Sequence, residues 1–163
     1  EASIYSYGQA LALQPTLLRA HLEIGGLYAE MGEAELSGAA YLEYEKAVYR
    51  YAGILEDPNA AIVDKMTICE AFSYLPDERA TKALIGALED KDPKVRLAAV
   101  SALSEIGVHS VVPALQKIQS QKSMTDPELA RAIGGAIKRI LASPDSPSAA
   151  PVPNSVQPKG ADQ

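Results

Sequence analysis

Few side chains in this sequence could carry chemistry on their own. Cys69 is the single cysteine, and Lys65 precedes it by one helical turn. A thiol reacts as its thiolate, which a neighbouring ammonium favours and burial in apolar surroundings disfavours. Cys69 therefore reads in two ways: as a buried, inert thiol, or as a part-exposed one whose pKa Lys65 lowers somewhat. His21 falls on the apolar face of a helix and reads as packed, whereas His109 falls in a turn before a helix and reads as solvated. Neither has the sequence neighbours of an acid–base pair. One cysteine and two histidines cannot make a zinc site of ordinary spacing or an internal disulfide. Glu33, Glu35, Glu43 and Glu45 straddle the faces of a helix, so they read as a solvated surface rather than a calcium site. Gly25-Gly26 lies inside a helical pattern, where glycine permits close helix packing, and is no phosphate loop. These residues define no catalytic group, metal site or cofactor site, and the expectation is a protein that is not an enzyme.

Composition bounds what could position such groups. The 163 residues include no tryptophan and one phenylalanine and are rich in alanine and leucine, a helical composition with small residues at close approaches. From Glu1 to Asp57 three basic residues face nine acidic ones, and from Pro58 to Ser143 eleven basic residues face ten acidic ones. No basic cluster suits nucleic acid. No stretch is apolar for the length of a membrane span, and the first residues lack a signal-peptide pattern. Direct membrane insertion is not expected. The cytoplasm is the favoured compartment, although one cysteine leaves the redox environment open.

Periodicity places the elements. Ile4, Tyr7, Ala10 and Leu11 mark a helix from Ser3 to Leu13, ended by Gln14-Pro15. Thr16 is positioned to cap a second helix, with Leu17, Ala20, His21, Ile24, Leu27 and Tyr28 on its apolar face, which Gly32 closes near Met31. A third helix runs from about Ala34 to Ala52, and because no proline ends it near residue 49 it is expected to run long. Its stripe of Tyr41, Tyr44, Val48 and Tyr51, with Leu55 beyond, reads as core rather than as a ligand-stacking ladder.

From Asp57 the pattern repeats. Asp57-Pro58, Asp92-Pro93 and Asp126-Pro127 are separated by 35 and 34 residues. An aspartate before a proline is an N-cap followed by the residue best tolerated at the first helical position. Aligned on the prolines, Ala60, Val95 and Leu129 superpose, as do Val63, Ala98 and Ala132, then Ile68, Leu103 and Ile137, then Ala71, Ile106 and Ile140. This predicts one shared buried stripe. The best-formed copy runs from Asp92 to its stop at Gly107. Between the copies lie second helices, Asp77 to Leu88 and Ser110 to Gln119, the latter with Pro113 in its first turn. The alignment equates Cys69 with Ser104 and Lys138, off the stripe. The last segment, Ser143 to Gln163, is rich in Pro, Ser and Ala and predicts a disordered tail.

Two resemblances follow from these residues. Ala20, Ile24, Gly25, Tyr28 and Gly32, with Tyr41 34 residues after Tyr7, resemble the tetratricopeptide repeat, entered at its second helix. Residues 1–56 are assigned to that type. Asp92-Pro93-Lys94-Val95-Arg96, Ala98-Ala99 and Ala102-Leu103 resemble HEAT repeats, especially the short type of phycobilisome lyases, and this covers residues 57–142. The resemblance implies an all-α fold: an α-solenoid of about eight helices, antiparallel pairs stacked as a right-handed superhelix. It also implies that Asp92 and Arg96 are structural and join neighbouring repeats. With Ala61 and Ala130 at the arginine position of the other copies, that ladder should be absent or incomplete.

The function these resemblances imply is a protein-interaction scaffold or adaptor that holds a partner protein or peptide on its concave face. First helices line that face in tetratricopeptide repeats, pointing to Arg19, Glu23, Gly26 and Glu30. Second helices line it in HEAT repeats, pointing to Arg79, Lys82, Gln116 and Lys117. The alternative is a cofactor-handling protein resembling the bilin lyases. Self-association through an unfinished first repeat is a further expectation.

Overall fold

A computed structural model of the chain describes residues 2–14, 16–122 and 125–143. Pro15 and the tail from residue 144 lie outside the described residues. Among those described there are eight α-helices, one 3-10 turn (His109–Val111) and no strand: α1 (Ala2–Leu13), α2 (Leu18–Glu30), α3 (Ala34–Glu56), α4 (Ile62–Ser73), α5 (Glu78–Ala87), α6 (Pro93–Ile106), α7 (Val112–Lys122) and α8 (Pro127–Ala142).

Three helices start under a capping aspartate. Asp77 accepts from Arg79 N–H at 2.8 Å, Asp92 from Lys94 N–H at 2.8 Å, and Asp126 from Leu129 N–H at 3.0 Å. Each bond satisfies a first-turn amide that no helical carbonyl can reach. Pro93 and Pro127 follow in the first turn. Gly107 stops α6 in the left-handed region, at φ 69°, and Gly32 turns the chain after α2 at φ 80°.

Four expectations are corrected. Thr16 is not a side-chain cap: α2 begins at Leu18 without one, and Thr16 contributes its carbonyl to Leu18 N–H at 2.7 Å. Helix α3 does run long, to Glu56, and this displaces the first repeat. Asp57 there accepts from Asn59 N–H at 2.8 Å and its carbonyl from Ala60 N–H at 3.3 Å, so Asp57-Pro58 closes a turn instead of opening a helix. Helix α4 then starts at Ile62, and Val63, aligned with the buried stripe, is exposed. His109 is not free in solvent, since its Nε2 lies 2.9 Å from the Ile140 carbonyl at the end of α8.

Helices α4, α6 and α8 pack in succession as one layer, while α3 carries α2 and α5, α5 also meets α6, and α7 lies on α8. A single apolar core threads this stack from Leu18 and Tyr44 through Phe72, Leu84, Leu103 and Leu115 to Ile140. Tyr44, Val48 and Tyr51 are in it, as a packing stripe should be. The architecture is an all-α solenoid.

Candidate functional site

The chemically capable side chains meet, but inside the stack. Cys69 is fully buried on α4. Its thiol is pushed up to about 12 by burial first and by the Asp90 charge second, against which Lys65 pulls weakly. Lys65 is occupied elsewhere: its Nζ reaches Asp90 Oδ2 at 2.6 Å, with the two side chains only 3% and 7% exposed. Of the two readings of Cys69 the inert one holds. Ser104, equated with Cys69, is buried as well, so the expectation that these positions lie off the stripe fails there; only Lys138 is exposed.

Lys65 and Asp90 form a rung between repeats. The alignment puts Ala61 where Arg96 stands in the next copy, and Lys65, one turn later, supplies the missing cation to Asp90, two residues before Asp92. Lys91 adds a second tie, donating to the Pro58 carbonyl at 2.6 Å. The next rung is Arg96, which reaches Asp126 Oδ2 at 2.5 Å and the carbonyls of Asp90 and Lys91 at 3.0 and 3.2 Å. Asp92 does not receive Arg96; it caps its own helix.

A third cluster ties α3 to α5. Tyr44 donates its hydroxyl to Asp77 Oδ2 at 2.8 Å, and Arg79 closes on the same carboxylate through Nε at 3.1 Å and Nη2 at 2.8 Å. Burial alone would raise the Asp77 carboxyl, but the Arg79 and Tyr44 hydrogen bonds outweigh it and hold the pKa low. Burial and the Asp77 charge push the Tyr44 hydroxyl up. The Arg79 guanidinium also lies over the Tyr49 ring at 5.1 Å and pairs with Glu45 at 3.8 Å. Arg79 is thus half-buried and engaged with the fold. His21 is half-buried on α2 as read, and burial lowers its pKa against the pull of Glu43.

The other surface candidates are not gathered. Arg19 and Glu23 form an i, i+4 pair at 3.1 Å on α2, Glu30 is exposed, and a side chain at Gly26 would meet nothing within 4 Å. Lys82 on α5 and Gln116 and Lys117 on α7 are exposed. Helices α5 and α7 have no substantial contact with each other.

A cleft lies elsewhere, in the seam between α4 and α6. It measures about 460 Å³ and is walled by Val63, Met66, Tyr74, Ala98 and Ala102, with Glu70 and Glu105 on its two sides. A smaller cleft of about 180 Å³, against Leu17 and Arg19, meets it at Glu70 and Tyr74. Periodicity alone does not reveal this seam, because it places Val63 in the core. The available signal was α4 itself, whose Ile62, Val63, Met66, Ile68 and Cys69 are too apolar for one buried face.

Among the described residues, no group of three or more His, Cys, Asp or Glu side chains could hold a metal, and no helix is long and apolar enough to cross a membrane. Aspartate-capped helices recurring along one shared core define an α-helical repeat protein. More narrowly, the chain belongs to the HEAT-repeat family: residues 51–138, just over half of it, match the family model for HEAT repeats. No curated protein and no solved structure matches the chain.

Proposed function

We propose that this chain is a non-enzymatic scaffold that presents its stacked helices to a partner protein or peptide. The observation that carries the reading is the fate of the reactive groups. Cys69, Lys65, Asp77, Arg79 and His109 are each engaged within the stack, which leaves extended surface as the chain's resource. HEAT repeats supply such surface as a family.

On this reading the concave face is lined by Lys82, Gln116 and Lys117 of the HEAT-like part (residues 57–142). Arg19, Glu23, Gly26 and Glu30 continue it on a tetratricopeptide-like part (residues 1–56). Support for the second assignment is the close approach of α2 and α3 at Gly25, where the Tyr41 ring stands 2.9 Å from the position of an added Cβ. Neither nucleic acid nor a bound cofactor enters the proposal. For the bilin-lyase alternative, the buried Cys69 offers no accessible thiol for a covalently held cofactor.

The test reverses the two exposed cations, in the double variant Lys82→Glu with Lys117→Glu. Both sites are on the surface, so circular dichroism should show an unchanged helical fold. The set of proteins retained by the immobilised chain should change; an identical set would remove this face from the proposal.

A further inference from the structure

Helix α4 and its C-cap expose Ile62, Val63, Met66 and Tyr74, and the last three line the seam. The charges lining it are of one sign. Glu70 stands in the last turn of α4 and Glu105 in the last turn of α6, and neither last turn contains a basic residue. A helix C-terminus is already the negative end of the macrodipole, where a cation is preferred and a carboxylate is not. Among the described residues, neither glutamate is in an ion pair. Cations border only the adjoining clefts: Arg19, paired with Glu23 at 3.1 Å, and Arg139, in a cleft that meets the seam at Ser101.

From this we infer that the α4–α6 seam docks a basic amphipathic helix of a partner protein. The inference rests on the scaffold reading and names the class of partner. Apolar residues of the incoming helix sit against Val63, Met66 and Ala98, as a helix seats its apolar stripe in a groove. Lysine or arginine on its flanks meets Glu70 and Glu105 and supplies the charge that the two helix ends lack. Residues 63 to 74 span the length of α4, about 18 Å, so the occupant makes about three turns of contact.

The experiment uses the full chain and a labelled helical peptide of leucine and lysine, with leucine at i, i+3, i+4 and i+7. Fluorescence anisotropy should show saturable binding well below about 1 mM, and a leucine–glutamate peptide of the same pattern should not bind. The double variant Glu70→Lys with Glu105→Lys should weaken binding by about tenfold or more, and Met66→Asp should do the same, with circular dichroism unchanged. Absence of saturable binding overturns the proposal. So does an equal loss from Glu33→Lys with Glu35→Lys, exposed acids outside the seam, because that outcome reports net charge only. A concentration-dependent dimer in sedimentation that Met66→Asp dissolves would make a second copy the occupant and overturn it too. A partner that needs Lys82 and Lys117 but ignores the seam variants would leave the scaffold standing and sink the seam.

Discussion

Lys65 shows how one substitution within a repeat is absorbed by its neighbours. The first copy has alanine where the second has Arg96, and the cation reappears a helical turn later, buried on α4 against Asp90. Two charges taken out of water are offset only while both are present. Asp90→Asn should therefore cost about 3–5 kcal/mol in urea unfolding, whereas Lys65→Met with Asp90→Leu should cost far less. The pH dependence has a definite sign. Burial raises the Asp90 carboxyl, but the Lys65 hydrogen bond and the Asp92 amide overcome it, so the folded pKa lies below the ordinary 3.8. A carboxyl depressed in the folded state binds fewer protons there than in the unfolded chain. Its contribution is whole above pH 3.8 and is lost as pH falls through the depressed folded value. Asp77, also depressed, acts in the same window. The acid-induced fall in the urea midpoint should be shallower in Asp90→Asn, and an unchanged slope would show that the rung is not linked to folding.

At the scale of the element, the two adjacent glycines of α2 separate backbone freedom from packing. A Cβ at Gly25 would lie 2.9 Å from the Tyr41 ring, and Ser37 holds the Gly25 carbonyl at 2.9 Å, so α3 crosses α2 at this residue. A Cβ at Gly26 meets nothing. Both residues are helical, so alanine gains about 0.5–1 kcal/mol at either from backbone entropy alone. Gly26→Ala should therefore stabilise the chain, and Gly25→Ala should fall about 1–3 kcal/mol below it through the steric cost. Adding Tyr41→Leu should recover part of that difference. The same helices show what could be read in advance. Asp92-Pro93 and Asp126-Pro127 announce α6 and α8 because cap, first-turn proline and apolar stripe agree in each. Asp57-Pro58 has the same letters yet makes a turn, because α3 reaches Glu56 and leaves no room for a helix to start there. How far a helix extends depends on what it packs against, and α3 packs on α2, α4 and α5 together.

At the scale of the molecule, the described residues form a stack whose parts are joined by a short series of polar rungs over a continuous core. Tyr44 to Asp77 joins α3 to α5, Lys65 to Asp90 joins the first copy to the second, and Arg96 to Asp126 joins the second to the third. Only the last uses the Asp and Arg positions at which the HEAT-repeat resemblance implies inter-repeat bonds, so only Arg96 was legible as a strut. The surface was less legible still. Lys82 and Lys117 are exposed as periodicity requires, but which helices flank a groove is decided by packing, and the seam lies between α4 and α6. In such an array stability is the sum of unit terms and nearest-neighbour terms, so removing one rung should uncouple units rather than weaken all of them alike. Arg96 is the informative place. It bonds the Asp126 carboxylate and also two carbonyls of the loop before α6, so Arg96→Met removes the link between copies and leaves those groups without their donor. The loss should be about 1–3 kcal/mol, concentrated in the α7–α8 unit beyond the break. In native-state hydrogen exchange, the α8 amides should open about tenfold faster or more, while those of α4 and α5 keep their wild-type protection. Equal loss of protection in every helix would show the described stack to be one cooperative unit and deny the rung a separate role.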